Sequence, residues 1–158
     1  MNAPPLVLYA EDDENDAFFM ERAFARLHRR CALRIVPNGR HVIDYLAEAG
    51  AYRHRHRFPL PALLILDVKM PELTGLEVLH WVRRQEAPFA SLPVVIFTSS
   101  TQEKDVARSR EDRASAYLVK PSSADHLVLL VDELLNALPG LPPGGLLPVQ
   151  GNRLLSSP

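Results

Sequence analysis

The chain has 158 residues, 47% of them apolar and 23% charged, which suits one domain with a core of its own. Its 18 basic and 19 acidic residues leave a net charge of −1, so no global field attracts nucleic acid or anionic lipid. No apolar run approaches ~20 residues, so no membrane span is expected; the single cysteine, Cys31, excludes an internal disulfide, and with no signal peptide the expected location is cytoplasmic.

The first apolar run, Leu6 to Ala10, reads as a strand and leads into Glu11-Asp12-Asp13-Glu14-Asn15-Asp16. Asp13 to Asp16 offer an N-cap and first-turn acids for a helix reaching about Arg29. Its apolar side holds Phe18, Phe19, Ala23, Phe24 and Leu27, and His28, Arg29 and Arg30 suit its C-terminal dipole. Ala32 to Val36 reads as a second strand, Pro37-Asn38-Gly39 as a turn, and His41 to Glu48 as a second helix ended by Gly50. A basic loop, Arg53 to Arg57, closes on Pro59 and Pro61.

Leu63-Leu64-Ile65-Leu66 is apolar on both parities, the mark of a strand buried on both faces. It ends on Asp67, and a carboxylate among apolar residues costs energy unless it is paired, metal-bound or chemically used. A loop punctuated by Pro71 and Gly75 leads to a third helix, Leu76 to Gln85, with Trp81 partly exposed. Val94 to Phe97 is a fourth buried strand ending at Thr98-Ser99-Ser100, and a polar segment from Gln102 to about Arg110 is a weak helix. Ala116 to Val119 is a fifth strand ending at Lys120-Pro121, and the last helix runs from about Ala124 to Leu138. Strands and helices alternate five times, so the expected fold is α/β: a doubly wound parallel sheet with helices on both faces. Residues 1–138 form the domain, and 139–158, with five prolines and four glycines, form a Pro/Gly/Leu-rich tail with no output domain.

In a parallel sheet all C-terminal strand ends face one edge, where open α/β sheets bind ligands. Glu11 and Asp12, Asp67, Thr98 and Lys120 each follow a different apolar run. Three converging carboxylates repel unless a cation neutralises them, and Mg²⁺, a hard ion that takes oxygen ligands, is the natural choice. A carboxylate beside Mg²⁺, a lysine and a hydroxyl can transfer a phosphoryl group, with Asp67 as the nucleophile. Singly, each residue has a bland reading: Glu11-Asp12 as a helix cap, Lys120 as a solvated strand end, Thr98 as a β-former at a turn, Asp67 as a loop-capping carboxylate.

Tyr9-Ala10-Glu11-Asp12, Leu66-Asp67-Val68-Lys69-Met70-Pro71-Glu72-Leu73-Thr74-Gly75, Phe97-Thr98-Ser99 and Tyr117-Leu118-Val119-Lys120-Pro121 resemble, in order, the motifs of two-component response-regulator receiver domains. The resemblance spans about residues 6 to 138. It implies the flavodoxin-like receiver fold with strand order 2-1-3-4-5, Asp67 as phosphoacceptor, and Mg²⁺ held by Glu11, Asp12, Asp67 and the Lys69 backbone carbonyl. It further implies Thr98 as switch hydroxyl, Tyr117 as an aromatic that turns inward on phosphorylation, Lys120 as phosphate-sensing lysine, and a cis Lys120–Pro121 peptide. Glu11 departs from the commoner aspartate, and its longer side chain is expected to hold the metal directly or through a water. The Glu-Asp pair, the basic loop and Thr98-Ser99-Ser100 are similar to single-domain regulators partnered with bacterial phytochrome histidine kinases; a receiver of another kinase, or a phosphorelay intermediate, is the alternative.

The implied partner is a sensor histidine kinase, and the implied output is phosphorylation-dependent protein–protein binding, with the chain a phosphoacceptor rather than an enzyme beyond its own Mg²⁺-dependent autophosphorylation and autodephosphorylation. An aspartate-nucleophile phosphatase is disfavoured because Lys69 stands where a second aspartate serves as acid/base, and a pseudo-receiver because the metal and phosphate set is complete. No direct nucleic-acid contact is expected, and the Arg/His loop reads as a solvated one. The last helix has apolar surplus at Leu127, Leu129, Leu130 and Leu134 if Val128, Val131, Leu135 and Leu138 face the sheet. That surplus, with tail leucines Leu141, Leu146, Leu147, Leu154 and Leu155, suggests a homodimer; a wide core face is the other reading.

Overall fold

The computed structural model describes residues 3–28 and 31–138. The tail with its leucines, and Arg29 and Arg30, lie outside them. Five strands, β1 (Leu6–Ala10), β2 (Ala32–Val36), β3 (Leu63–Leu66), β4 (Val94–Thr98) and β5 (Ala116–Val119), alternate with five helices, α1 (Glu14–Leu27), α2 (Gly39–Leu46), α3 (Gly75–Arg83), α4 (Glu103–Glu111) and α5 (Ala124–Ala137). The strands are parallel in the order β2-β1-β3-β4-β5, the doubly wound order that the resemblance implies. β1, β3 and β4 are buried throughout, because helices cover both faces of the sheet.

Side chains alternate between the two faces along each strand. Leu6, Leu8 and Ala10 pack with α2 and α3, together with Leu64, Leu66, Ile96 and Tyr117. Val7, Tyr9, Ile65, Phe97 and Leu118 pack with α1 and α5. Asp13 caps α1 by accepting the N–H groups of Asn15 and Asp16 at 2.8 and 3.0 Å. That leaves Glu11 and Asp12 outside the cap, which removes their bland reading. Asn38 caps α2, so that helix begins two residues before His41, and it stops at Leu46 rather than at Glu48. Thr74 and Glu77 form a reciprocal capping box on α3.

α5 corrects one expectation. Leu127, Leu130, Val131, Leu134 and Leu135 are its buried residues, an i, i+3, i+4, i+7, i+8 stripe that is the core face of an amphipathic helix. Leu127, Leu130 and Leu134 are therefore not surplus surface: each is buried within the chain, which stabilises the domain by roughly 2 kcal/mol per residue. Leu129 alone of the four is exposed, at 62%. The expected cis Lys120–Pro121 is also not found; among the described residues the cis peptide is Ala87–Pro88.

The basic loop is solvated at Arg53, His54, His56 and Arg57, which are exposed, and tied down at Arg55. Arg55 donates to the carbonyls of Tyr45, Leu46 and Phe58 at 2.8 to 3.3 Å and pairs with Glu48, so the Leu46 carbonyl at the end of α2 gains a partner. Arg83, buried at the end of α3, donates to the carbonyls of Ala90, Leu92 and Arg113 at 2.7 to 3.3 Å. Burial pushes its guanidinium down to about 10, so it is still charged at neutral pH. Replacing Arg83 with Ala strands those carbonyls and leaves a void, and is expected to cost about 3 kcal/mol in urea denaturation. An unchanged midpoint would contradict this account of the α3 junction.

Candidate functional site

Backbone hydrogen bonds run one residue past the strand ends and hold the site. The N–H of Glu11 donates to Val36 at 3.1 Å, that of Asp67 to Ala10 at 3.3 Å, and that of Lys120 to Thr98 at 2.8 Å. Each side chain thus springs from a backbone fixed to the neighbouring strand. By the alternation of the strands, Glu11 continues the Val7/Tyr9 face, Asp67 the Ile65 face and Lys120 the Leu118 face. All three point to the α1–α5 side.

They meet there. Lys120 Nζ donates to Glu11 Oε2 at 2.7 Å, to Asp67 Oδ2 at 2.8 Å and to Asp16 Oδ2 at 2.6 Å. Glu11 and Asp67 are nearly buried, with side chains 1% and 10% exposed, whereas Asp16 is 40% exposed. Burial pulls the Lys120 ammonium down, but its bonds to Asp16, Asp67 and Glu11 pull it up further, and the net shift is upward. The Glu11 carboxyl is pushed up, first by burial and also by the Asp67 charge, against the pull of Lys120. The two shifts ask opposite things of one contact. The geometry of a short three-way bond favours the charged lysine, which is the direction we stand behind.

Oxygens of Glu11, Asp12 and Asp67 lie within 4.8 Å of one another. An all-oxygen, all-carboxylate set suits Mg²⁺ or Mn²⁺, and the residues present fit such an ion. Asp12 is exposed and Lys69, in the loop after β3, is exposed as well, so one side of the cluster is open to solvent. Gly75 keeps the loop in place: a methyl group there would overlap the Asp67 carbonyl oxygen, so the first turn of α3 can pack against the phosphoacceptor candidate only without a side chain.

Thr98 is buried, and its Oγ1 accepts the N–H of Ser100 at 3.2 Å. Tyr117 is fully buried and its hydroxyl donates to the Ser100 carbonyl at 2.9 Å. Tyr117 is therefore inward in this structure, the position that the resemblance implies for the phosphorylated state. Burial, chiefly, raises its phenol. Ser100 also donates its hydroxyl to Asp105 at 2.7 Å, joining the end of β4 to the first turn of α4.

Three participants escape the sequence reading. Asp16 reads there as a first-turn helix acid, yet it holds Lys120. Tyr9 reads as a strand aromatic, yet its hydroxyl donates to Glu11 Oε2 at 2.8 Å from a fully buried ring; burial, with the Glu11 charge, raises its phenol well above 10. Ser100 reads as a loop polar residue. The signal for Tyr9 was available: a hydroxyl two residues before Glu11 on one strand shares its face.

Lys120 is the only cation bonded to these carboxylates among the described residues. Lys120→Met is expected to destabilise the metal-free chain by about 3 kcal/mol at neutral pH, with the exposed Asp16 contact adding little. Mg²⁺ should then stabilise the variant more than it stabilises the parent, because the ion replaces the lost charge. Equal metal-induced rises in melting temperature would contradict this electrostatic account.

Residues 7–132 match the sequence model of the response regulator receiver domain. A curated relative, the probable methanogenesis regulatory protein FilR2 of Methanothrix harundinacea, is 33% identical over 83% of this chain and 81% of its own length. Among solved structures, response regulator RPA3017 in red light signaling of R. palustris superposes with a TM-score of 0.77 at 31% identity, covering 84% of this chain and 92% of that one. The Mn²⁺-bound form of Rcp1, a response regulator of Synechocystis, gives 0.76 at 27% identity over 88% and 98%. A cyanobacterial phytochrome response regulator is a further solved neighbour. No helix of the described residues is long and apolar enough to cross a membrane. With most of its length matched and the site residues at the expected strand ends, this chain belongs to the response-regulator receiver-domain family.

Proposed function

We propose that this chain is a phosphorylation-controlled signalling receiver in which Asp67 accepts a phosphoryl group from a sensor histidine kinase. The observation that carries the reading is the meeting of Asp67, Glu11 and Asp12 with the Lys120 ammonium at one sheet edge. In the transfer, an Asp67 carboxylate oxygen attacks phosphorus. The bond to the donor imidazole nitrogen breaks, and the imidazole leaves and takes a proton from solvent. Lys120, already 2.8 Å from Asp67 Oδ2, is placed to follow the charge onto the phosphoryl oxygens. A divalent cation held by Glu11, Asp12, Asp67 and the Lys69 carbonyl would supply further compensation for that charge.

The readout starts at Thr98. Its oxygen accepts from Ser100, and its own proton is free to bond a phosphoryl oxygen. A shift of Thr98 pulls on Ser100, and through Ser100 on Tyr117 and Asp105. The moving parts are thus the β4–α4 loop and α4, with Tyr117 as an anchor rather than a rotating gate.

The input is proposed to be light through a phytochrome kinase. The support is the Glu11-Asp12 pair with Thr98-Ser99-Ser100, together with likeness to a red-light regulator and a phytochrome regulator.

A small phosphodonor should label the parent protein when Mg²⁺ is present, and Asp67→Asn or excess EDTA should abolish the label, read on a phosphate-affinity gel. An Asp67→Asn variant that labels as the parent does overturns the assignment. For the input, a phytochrome kinase should pass its phosphoryl group to this chain at a rate that changes between red and far-red light. Transfer only from kinases without a bilin would overturn the phytochrome link and leave the receiver reading in place.

A further inference from the structure

We propose that Tyr9 is a positioning residue for the divalent cation, its buried phenol holding the Glu11 carboxylate in the metal-binding orientation. The inference rests on the receiver reading above and names a residue beyond its ligand set.

The argument begins with the length of Glu11. A glutamate carries one more rotatable bond than an aspartate, so its carboxylate needs restraint to act as a ligand. Three donors supply it. Tyr9 donates to Oε2 at 2.8 Å, Lys120 donates to the same oxygen at 2.7 Å, and the N–H of Asp13 donates to Oε1 at 3.1 Å. Lys120 is shared with Asp16 and Asp67, and in phosphoryl transfer it follows the phosphoryl charge. Tyr9 is then the one side-chain donor left on Glu11 among the described residues.

Tyr9 is suited to stay. Its ring is fully buried between the sheet and the α1–α5 layer, with the Phe97 ring 6.3 Å away between centroids. It stands two residues before Glu11, on the same face of β1, so the backbone fixes the spacing from which the hydroxyl reaches the carboxylate. The dependence is mutual. A hydroxyl with no exposure needs an acceptor, and Glu11 is the acceptor it has. Groups that hydrogen-bond a metal ligand and fix its orientation typically change metal affinity 10- to 100-fold when removed.

Tyr9→Phe deletes the hydroxyl and keeps the ring. Titration with Mn²⁺, followed by loss of the free-ion electron paramagnetic resonance signal, should show a Kd raised about tenfold. In a Glu11→Gln background, adding Tyr9→Phe should change the Kd by less than about twofold, since the carboxylate it orients is gone. A second measurement reads binding even if the variant is less stable: the rise in melting temperature on adding Mg²⁺, each protein against its own metal-free state. At roughly 100 times the parent Kd, that increment should fall to about half in Tyr9→Phe. A parent-like Kd in Tyr9→Phe overturns the proposal. So does an equal loss in both backgrounds, which would place the effect in ring packing. Both results leave the receiver reading standing. A parent protein that binds no Mn²⁺ overturns that reading and this inference together.

Discussion

Like charges gathered at one edge of a hydrophobic sheet set the terms for this molecule. Glu11 and Asp67 are almost out of water, Asp16 leans over them, and a single ammonium, Lys120, bonds all three. A buried carboxylate with no partner shifts its pKa or destabilises the fold. One lysine cannot neutralise three carboxylates and Asp12 as well. The site is therefore under-compensated by construction, and a small, strongly charged cation or a reorganised lysine relieves it. That same deficit is what a phosphoryl-transfer site uses, since its cations must be available to the incoming group rather than saturated by the resting protein.

The deficit is tolerable only because the scaffold does not yield. Glu11, Asp67 and Lys120 each extend a ladder bond to the neighbouring strand, so separation of the carboxylates would break backbone pairing inside a sheet covered on both faces. Gly75 brings α3 against the Asp67 carbonyl, and the Thr74–Glu77 box fixes where that helix begins. The scaffold thereby holds the carboxylates together against their repulsion instead of unfolding.

Much of this was legible in the residues. Unbroken apolar runs such as Leu63 to Leu66 and Val94 to Phe97, short and bounded by turn residues, suit strands buried on both faces, and the polar residue after each run marked the site. What was not legible came from geometry that spacing does not encode. The rotation of α5 about its axis turns on which of two overlapping apolar stripes meets the sheet; Leu127, Leu130 and Leu134 won because they join Val131 and Leu135 in one continuous face. Asp16 sits on a helix whose approach to β5 depends on how α1 packs, and no local pattern brings it to Lys120. The inward Tyr117 depends on the path of the Thr98–Gln102 loop, which offers it the Ser100 carbonyl.

In the proposed signalling function, the position of Tyr117 changes where the energy of switching must come from. If the ring had to enter an empty space, burial of an aromatic would drive the transition. Here it is buried at the outset, so that contribution is already present and cannot bias one state over another. The remaining source is Thr98. Its oxygen keeps two lone pairs, one used by the Ser100 N–H, and among the described residues its proton has no acceptor. A charge-assisted bond from that proton to a phosphoryl oxygen is a gain with no bond lost, worth roughly 1.5 to 3 kcal/mol. At about 1.4 kcal/mol per tenfold change, that shifts a two-state equilibrium by roughly 10- to 100-fold, enough to switch a loop held by the few bonds that Ser100 makes and too little to repack the sheet beneath it.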